Sequence, residues 1–167
     1  MISRRAFAAA LLPGLTLALL TGCGFRLRGT LDLPETLSPL YIQAGGGSQV
    51  KRAIEDQLSG SALALAATPA EAKLIVRILS EGRSSRVVAT DFSGKVLAYD
   101  LRFLVSYDAV SADGTTRAPQ QTLDLSRTFD NPDVEVLGKQ LEEEQIYQDF
   151  ASDAADRILM RLRTTLR

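Results

Sequence analysis

Residues 97–109 alternate without a break: Leu97, Tyr99, Leu101, Phe103, Val105, Tyr107 and Ala109 share one face, and Ala98, Asp100, Arg102, Leu104, Ser106 and Asp108 the other. Successive strand side chains point to opposite faces, so thirteen residues in register predict a strand, and no helix satisfies this period. The chain must therefore build a sheet with one covered face. Asp113-Gly114 marks a hairpin turn. The run after it sets Leu123, Leu125 and Phe129 against Thr122, Asp124, Ser126 and Thr128. Upstream, Leu74, Val76 and Ile78 alternate with Ile75, Arg77 and Leu79, and residues 83–89 either extend that strand or begin the turn at 91–94. Leu40, Ile42 and Ala44 alternate with Tyr41 and Gln43 in a short first strand.

Two stretches carry the helical period instead. Gly45-Gly46-Gly47 breaks the first strand, Ser48 suits an N-cap, and Val50, Ile54 and Leu58 form one apolar face. Ser59-Gly60-Ser61 ends this helix, and the Ala-rich segment 62–72, broken by Pro69, carries little information. Near the C-terminus, Asn131 and Pro132 suit the N-cap and N1 positions, with Asp133 and Glu135 at the positive dipole end. Leu137, Leu141, Phe150, Ala154, Ile158, Leu162 and Leu166 then make one stripe, flanked by Tyr147, Ala151 and Leu159. Arg157, Arg161, Arg163 and Arg167 crowd the negative dipole end. If continuous from 132 to 166, this helix is ~50 Å long. Each helix has one apolar stripe and the sheet one apolar face. The expected fold class is α/β: a four-stranded, mostly antiparallel mixed sheet with two helices packed on one face. The mixed pairing comes from a right-handed parallel crossover at the strand–helix–strand start.

The 167 residues contain no His, no Trp and one Cys. Without His there is no Ser-His-Asp or Cys-His apparatus and no imidazole metal site. A single Cys excludes an intrachain disulfide and Cys₂ or Cys₄ zinc sites. Gly45-Gly46-Gly47-Ser48 lacks the GxxxxGK[ST] phosphate loop, and no GxGxxG occurs. Glu142-Glu143-Glu144 do not converge on a metal, because consecutive helix residues point 100° apart. Asp130 and Asp133 are explained as helix-start chemistry. No enzyme signature survives, and no metal or diffusible cofactor is expected.

The N-terminus accounts for the Cys. Residues 1–5 carry two positive charges, and residues 6–20 are an uncharged, mostly Ala and Leu run spanning ~22 Å, short of the ~30 Å hydrocarbon core. A charged n-region before a short apolar h-region fits a secretory signal. Leu20-Thr21-Gly22-Cys23 resembles the bacterial lipobox, which implies cleavage after Gly22 and lipid on Cys23; the alternative is a free Cys beside an ordinary signal peptidase site. Gly24, where Asp would signal inner-membrane retention, points to the outer membrane. Ser3-Arg4-Arg5-Ala6-Phe7 resembles the front of a twin-arginine signal, and both export routes stay open. The expected organisation is a signal peptide at 1–22, a lipidated tether at 23–39 and one α/β domain at 40–167. Removal of 1–22 leaves 17 basic against 20 acidic side chains, which argues against a nucleic-acid partner. The membrane link is then covalent, each acyl chain contributing ~0.8 kcal/mol per buried methylene.

Four cations near the tips of the sheet form the remaining candidate site: Arg83 and Arg86 before the central hairpin, Lys95 after it, and Lys139 in the first turns of the long helix. Arg by its bidentate fork and Lys as a point charge suit phosphate; the alternative is scattered solvated charge.

Cys23-Gly24-Phe25-Arg26-Leu27-Arg28-Gly29 resembles the mature N-terminus of the lipopolysaccharide-assembly lipoprotein family LptE. The resemblance continues through Phe129-Asp130-Asn131-Pro132, Leu137-Gly138-Lys139, Glu143-Glu144-Gln145-Ile146-Tyr147 and Arg157-Ile158-Leu159. It implies a non-enzymatic outer-membrane lipoprotein, its domain facing the periplasm or a barrel lumen. Such proteins plug the LptD β-barrel, assist its assembly and bind lipopolysaccharide during delivery to the outer leaflet. By resemblance Lys139 is the ligand-contacting lysine. The family's basic residue in the central hairpin has no clean counterpart, because Ser93 occupies that region, with Lys95 two residues on and Arg86 before it. Two other readings are a chaperone or pilot lipoprotein for another envelope machine, and a cell-wall enzyme using a carboxylate pair ~5–10 Å apart.

Overall fold

The computed structural model describes residues 34–61, 63–130 and 136–166. The signal segment, Cys23, the tether up to residue 33, and the helix-start residues Asn131, Pro132, Asp133 and Glu135 lie outside the described residues. Four strands and two helices follow in chain order: β1 Leu40–Gln43, α1 Gln49–Leu58, β2 Leu74–Thr90, β3 Val96–Ser111, β4 Thr116–Asp130 and α2 Val136–Thr165. The sheet order is β1-β2-β3-β4; β1 pairs with β2 in parallel, and the other two pairings are antiparallel. A parallel pair needs a long crossover, and α1 lies within it. Residues 83–89 extend β2 rather than turning. The turn is closed by Gly94 at φ 85°, a left-handed conformation that glycine adopts without a Cβ clash.

Both helices cover the same face. Val50, Ile54 and Leu58 of α1, and Phe150, Ala154, Ile158 and Leu162 of α2, join Leu40, Ile42, Val76, Phe103, Val105, Tyr107 and Leu125 in one core. Each large side chain buried there contributes ~1.5–3 kcal/mol. Leu37 is buried in the same core, so packing reaches back into the stretch whose composition suggests a tether. Ser48 caps α1 as expected, its Oγ accepting the Lys51 N–H. Phe103, Tyr147 and Phe150 form an aromatic cluster with centroids 6.1–6.4 Å apart, within the range of favourable ring pairs.

Two expected core positions are corrected. Leu97 is 44% exposed, because β3 carries an extra residue there: Ala98 pairs with Ala89 and Val96 with Thr90, leaving Leu97 unpaired at the hairpin end. Leu141 is 67% exposed, since at this end of α2 the stripe becomes solvent-facing; burial of the stripe begins at Ile146.

A bulge in β2 decides where the site residues go. Ile78 pairs with Tyr107 but Ser80 with Ser106, so Leu79 is an extra residue. Paired residues share a face, and an extra residue reverses the alternation. Before the bulge the even-numbered Val76 and Ile78 face the helices; beyond it the odd-numbered Glu81, Arg83, Ser85 and Val87 do, opposite Val105, Phe103, Leu101 and Tyr99.

Candidate functional site

The four candidate cations share one half of the sheet but not one surface. The β2 bulge turns Arg83 toward α2, where its guanidinium donates to the two Glu144 carboxylate oxygens at 2.7 and 3.2 Å. Its charge lies 4.5 Å from the Tyr147 ring centroid, a cation–π distance. The Tyr147 hydroxyl donates to the Ser84 carbonyl at 3.0 Å. Glu144 also accepts from Gln49 Nε2 at 3.0 Å, while Glu81 accepts the Gln49 N–H at 3.2 Å and the Ser48 hydroxyl. This network ties the start of α1 and the middle of α2 to β2. Arg83 is therefore a clamp, its fork occupied by Glu144.

Arg86 stands on the opposite, helix-free face. It pairs across the strands with Asp100 at 3.3 Å, and its side chain is largely exposed. The same face carries Arg77–Asp108 and Arg102–Asp124, so it neutralises itself strand to strand.

Lys95 is exposed at the end of the β2–β3 turn. One Asp91 carboxylate oxygen orders that turn, accepting the Ser93 N–H and hydroxyl at 2.8 and 2.7 Å and the Lys95 N–H at 2.9 Å. These donors hold the Asp91 carboxyl below its ordinary value. Lys139 is half-buried and lies five residues before Glu144 on α2, ~7.5 Å along the axis. It therefore sits beyond the clamp, toward the same end of the sheet as the turn.

That end is apolar as well as cationic, which inspection of charges alone missed. Phe92 is fully exposed at the tip of the turn, and Val87, Val88 and Leu97 are each about half exposed on the strands leading to it. Exposed apolar groups gathered at one end mark contact surfaces more often than solvent-facing decoration. An aromatic residue inside the Asp91-Phe92-Ser93-Gly94 turn was the signal available in the sequence. Exposed apolar tip plus Lys95 and Lys139 suits an amphiphile with a negatively charged head.

The clamp is pH-sensitive with a definite sign. Hydrogen bonds from Arg83, then Gln49, hold the Glu144 carboxyl below its ordinary 4.5. A depressed carboxyl stabilises the fold above its unfolded value, and this is lost as pH falls through the folded value. Backbone amide exchange around Tyr147 is expected to accelerate relative to the C-terminal half of α2 as pH drops below about 4.5. Glu144→Gln should abolish that pH-dependent component and raise exchange at pH 7 by about two- to five-fold, the scale of a partly solvated ion pair. Identical pH profiles for the two proteins would refute the clamp.

A sequence model of the LptE family, described as Lipopolysaccharide-assembly, matches residues 37–162. The protein from Photorhabdus laumondii called LPS-assembly lipoprotein LptE is 28% identical over 92% of this chain and 84% of its own length. Its namesake from Yersinia enterocolitica is 29% identical over 91% of this chain and 73% of its own. Among solved structures, that of an uncharacterized lipoprotein B from Nitrosomonas europaea has a TM-score of 0.69 at 27% identity, covering 84% of this chain and 90% of that one. Rare lipoprotein B from Shewanella oneidensis shares the fold, with a TM-score of 0.63 at 18% identity over 75% of this chain and 94% of that one.

Proposed function

The chain belongs to the LptE lipopolysaccharide-assembly family, and from that membership we propose that it is an outer-membrane lipoprotein serving lipopolysaccharide assembly. In this reading it plugs and assists assembly of an LptD-type β-barrel and binds lipopolysaccharide on its way to the outer leaflet. Lipid on Cys23 anchors it, and no other cofactor takes part. The observation that carries the reading is the family match, which spans the whole sheet, α1 and all but the last three residues of α2.

The surface chemistry supports contact rather than catalysis. Asp100, Asp108, Asp124, Asp149, Asp153 and Glu144 are each paired with an arginine. Of these, the Glu144 carboxyl is held below its ordinary value by Arg83 and then Gln49, so it is stabilised as the anion and is a poor general acid. Among the described residues no three His, Cys, Asp or Glu side chains gather as a metal site. A domain of self-neutralised faces with an apolar, cationic tip suits a plug that touches both protein and lipid.

Of the four cations first singled out, Lys139 and Lys95 remain candidates for the ligand head group, Arg86 is a weaker one because Asp100 holds it, and Arg83 acts through the clamp. Lys139→Glu is expected to weaken lipopolysaccharide binding about tenfold or more, as reversing one phosphate-facing charge implies. Its circular dichroism and melting temperature should be unchanged. Unaltered binding by the folded variant would remove Lys139 from the site.

A further inference from the structure

The opposite end of α2 carries a second cationic corner. The dipole accounts for arginines in the last turns of a helix, but it does not account for where Arg161 goes. Its Nη1 donates 2.9 Å across to Gln121 Oε1 on β4. The hydroxyl of Tyr107, whose side chain is fully buried, donates to the same oxygen at 3.1 Å. One acceptor thus takes two donors, which fixes the amide so that Gln121 Nε2, a two-proton donor, is the group left over. Nε2 has no partner among the described residues, and none of their carboxylates pairs with Arg161. Gln121, Met160, Arg161, Thr164 and Thr165 line an open groove of about 260 Å³, whose walls are largely apolar and whose polar groups converge at Arg161 and Gln121.

The corner presents donors and one positive charge. The arginine keeps its Nε–H and Nη2 protons, the glutamine keeps its amide protons, and Thr165 adds a hydroxyl. A ligand that engages these polar groups is an acceptor and an anion. The donors come from two elements, a strand and a helix. A tetrahedral phosphate with three terminal oxygens meets both, whereas a planar carboxylate satisfies one fork. We propose that the Arg161–Gln121 corner is a phosphate-binding site, separate from the hairpin end. Arg161 lies 17 residues after Glu144 on α2, ~26 Å along the axis, so one phosphate cannot bridge the two ends. The source is either free phosphate or the phosphomonoester of a lipid headgroup.

The test uses the full chain, ¹⁵N-labelled, in phosphatidylcholine bicelles at constant ionic strength. Inorganic phosphate is titrated in while the Gln121 side-chain amide and Arg161 Nε–H signals are followed. Saturable shifts at both are expected, with affinity falling at least tenfold in Arg161→Gln. The same loss is expected in Gln121→Glu, which sets a carboxylate against Arg161 in place of the ligand. Arg52→Gln, an equal charge loss on α1, should leave the affinity unchanged. In a second arm, phosphatidic acid replaces part of the phosphatidylcholine: Arg161-dependent shifts there identify a headgroup, and shifts with inorganic phosphate alone identify the free ion. Non-saturating shifts, or saturating ones indifferent to Arg161→Gln in folded protein, would overturn the site.

Discussion

Replacing Phe103 with alanine is expected to cost about 3–5 kcal/mol, the usual range for emptying a buried aromatic position. Phe103 is 1% exposed at the centre of the sheet. It stacks on Phe150 and meets Tyr147 edge-on, so it is where β3 grips α2. The rings cannot collapse into the gap without dragging Tyr147 off the Ser84 carbonyl and away from the Arg83 guanidinium. A native stability of about 5–15 kcal/mol would lose a large share, and the melting temperature of a domain this size should fall by about 10–20 °C. Phe103→Leu, which keeps most of the volume, should cost about 1–1.5 kcal/mol. A loss below 1 kcal/mol for Phe103→Ala would contradict the described packing of helix on sheet.

The second large effect concerns Cys23, which lies outside the described residues. If it carries the anchoring lipid, Cys23→Ala should abolish fatty-acid labelling entirely and remove the chain from the outer-membrane fraction. More than one acyl chain at ~0.8 kcal/mol per buried methylene makes anchoring effectively permanent, so the change is all or none rather than graded. The domain itself should keep its spectrum and melting temperature, since it folds around Phe103 and not around the lipid. Palmitate incorporation into the Cys23→Ala form would show that the lipobox resemblance misleads.

These two effects sit at opposite ends of what the chain spells out. The grip of β3 was legible because alternation from Tyr99 to Ala109 is strict and partnered by Leu123 and Leu125 across β4. The stripe of α2 from Phe150 to Leu162 was legible for the same reason, a single period held long enough to choose the face. The Ser48 cap followed from one side chain in the right place. What the pattern hid were departures from period. Arg83 and Arg86, three positions apart in one strand, take opposite faces in any register, and the extra residue at Leu79 decides that Arg83 is the one turned to the helices. This bulge leaves no mark in the spacing of apolar residues, because residues 80–86 just beyond it include no large apolar side chain on either face. Leu97 is likewise the extra residue of an irregular pairing, and Leu141 belongs to a stripe that is apolar before its burial begins at Ile146. The Arg161–Gln121 corner was invisible for a different reason. Its two residues are 40 positions apart, and the helix dipole offered Arg161 a sufficient local explanation.

The candidate site shows the same division. Lys139 was singled out by resemblance and stands beyond the clamp, half-buried; Phe92, without charge, was passed over although it is the most exposed large apolar side chain described. Charge draws attention in a sequence, while exposure is a property of the fold.

We propose that this lipoprotein works by occupying a partner in the outer membrane. Affinity purification of the tagged full chain from solubilised membranes tests it most directly. A large β-barrel protein of the LptD type is expected to co-purify in stoichiometric amount and to carry lipopolysaccharide with it. Recovery of soluble periplasmic proteins alone, with the chain folded and membrane-bound, would contradict it.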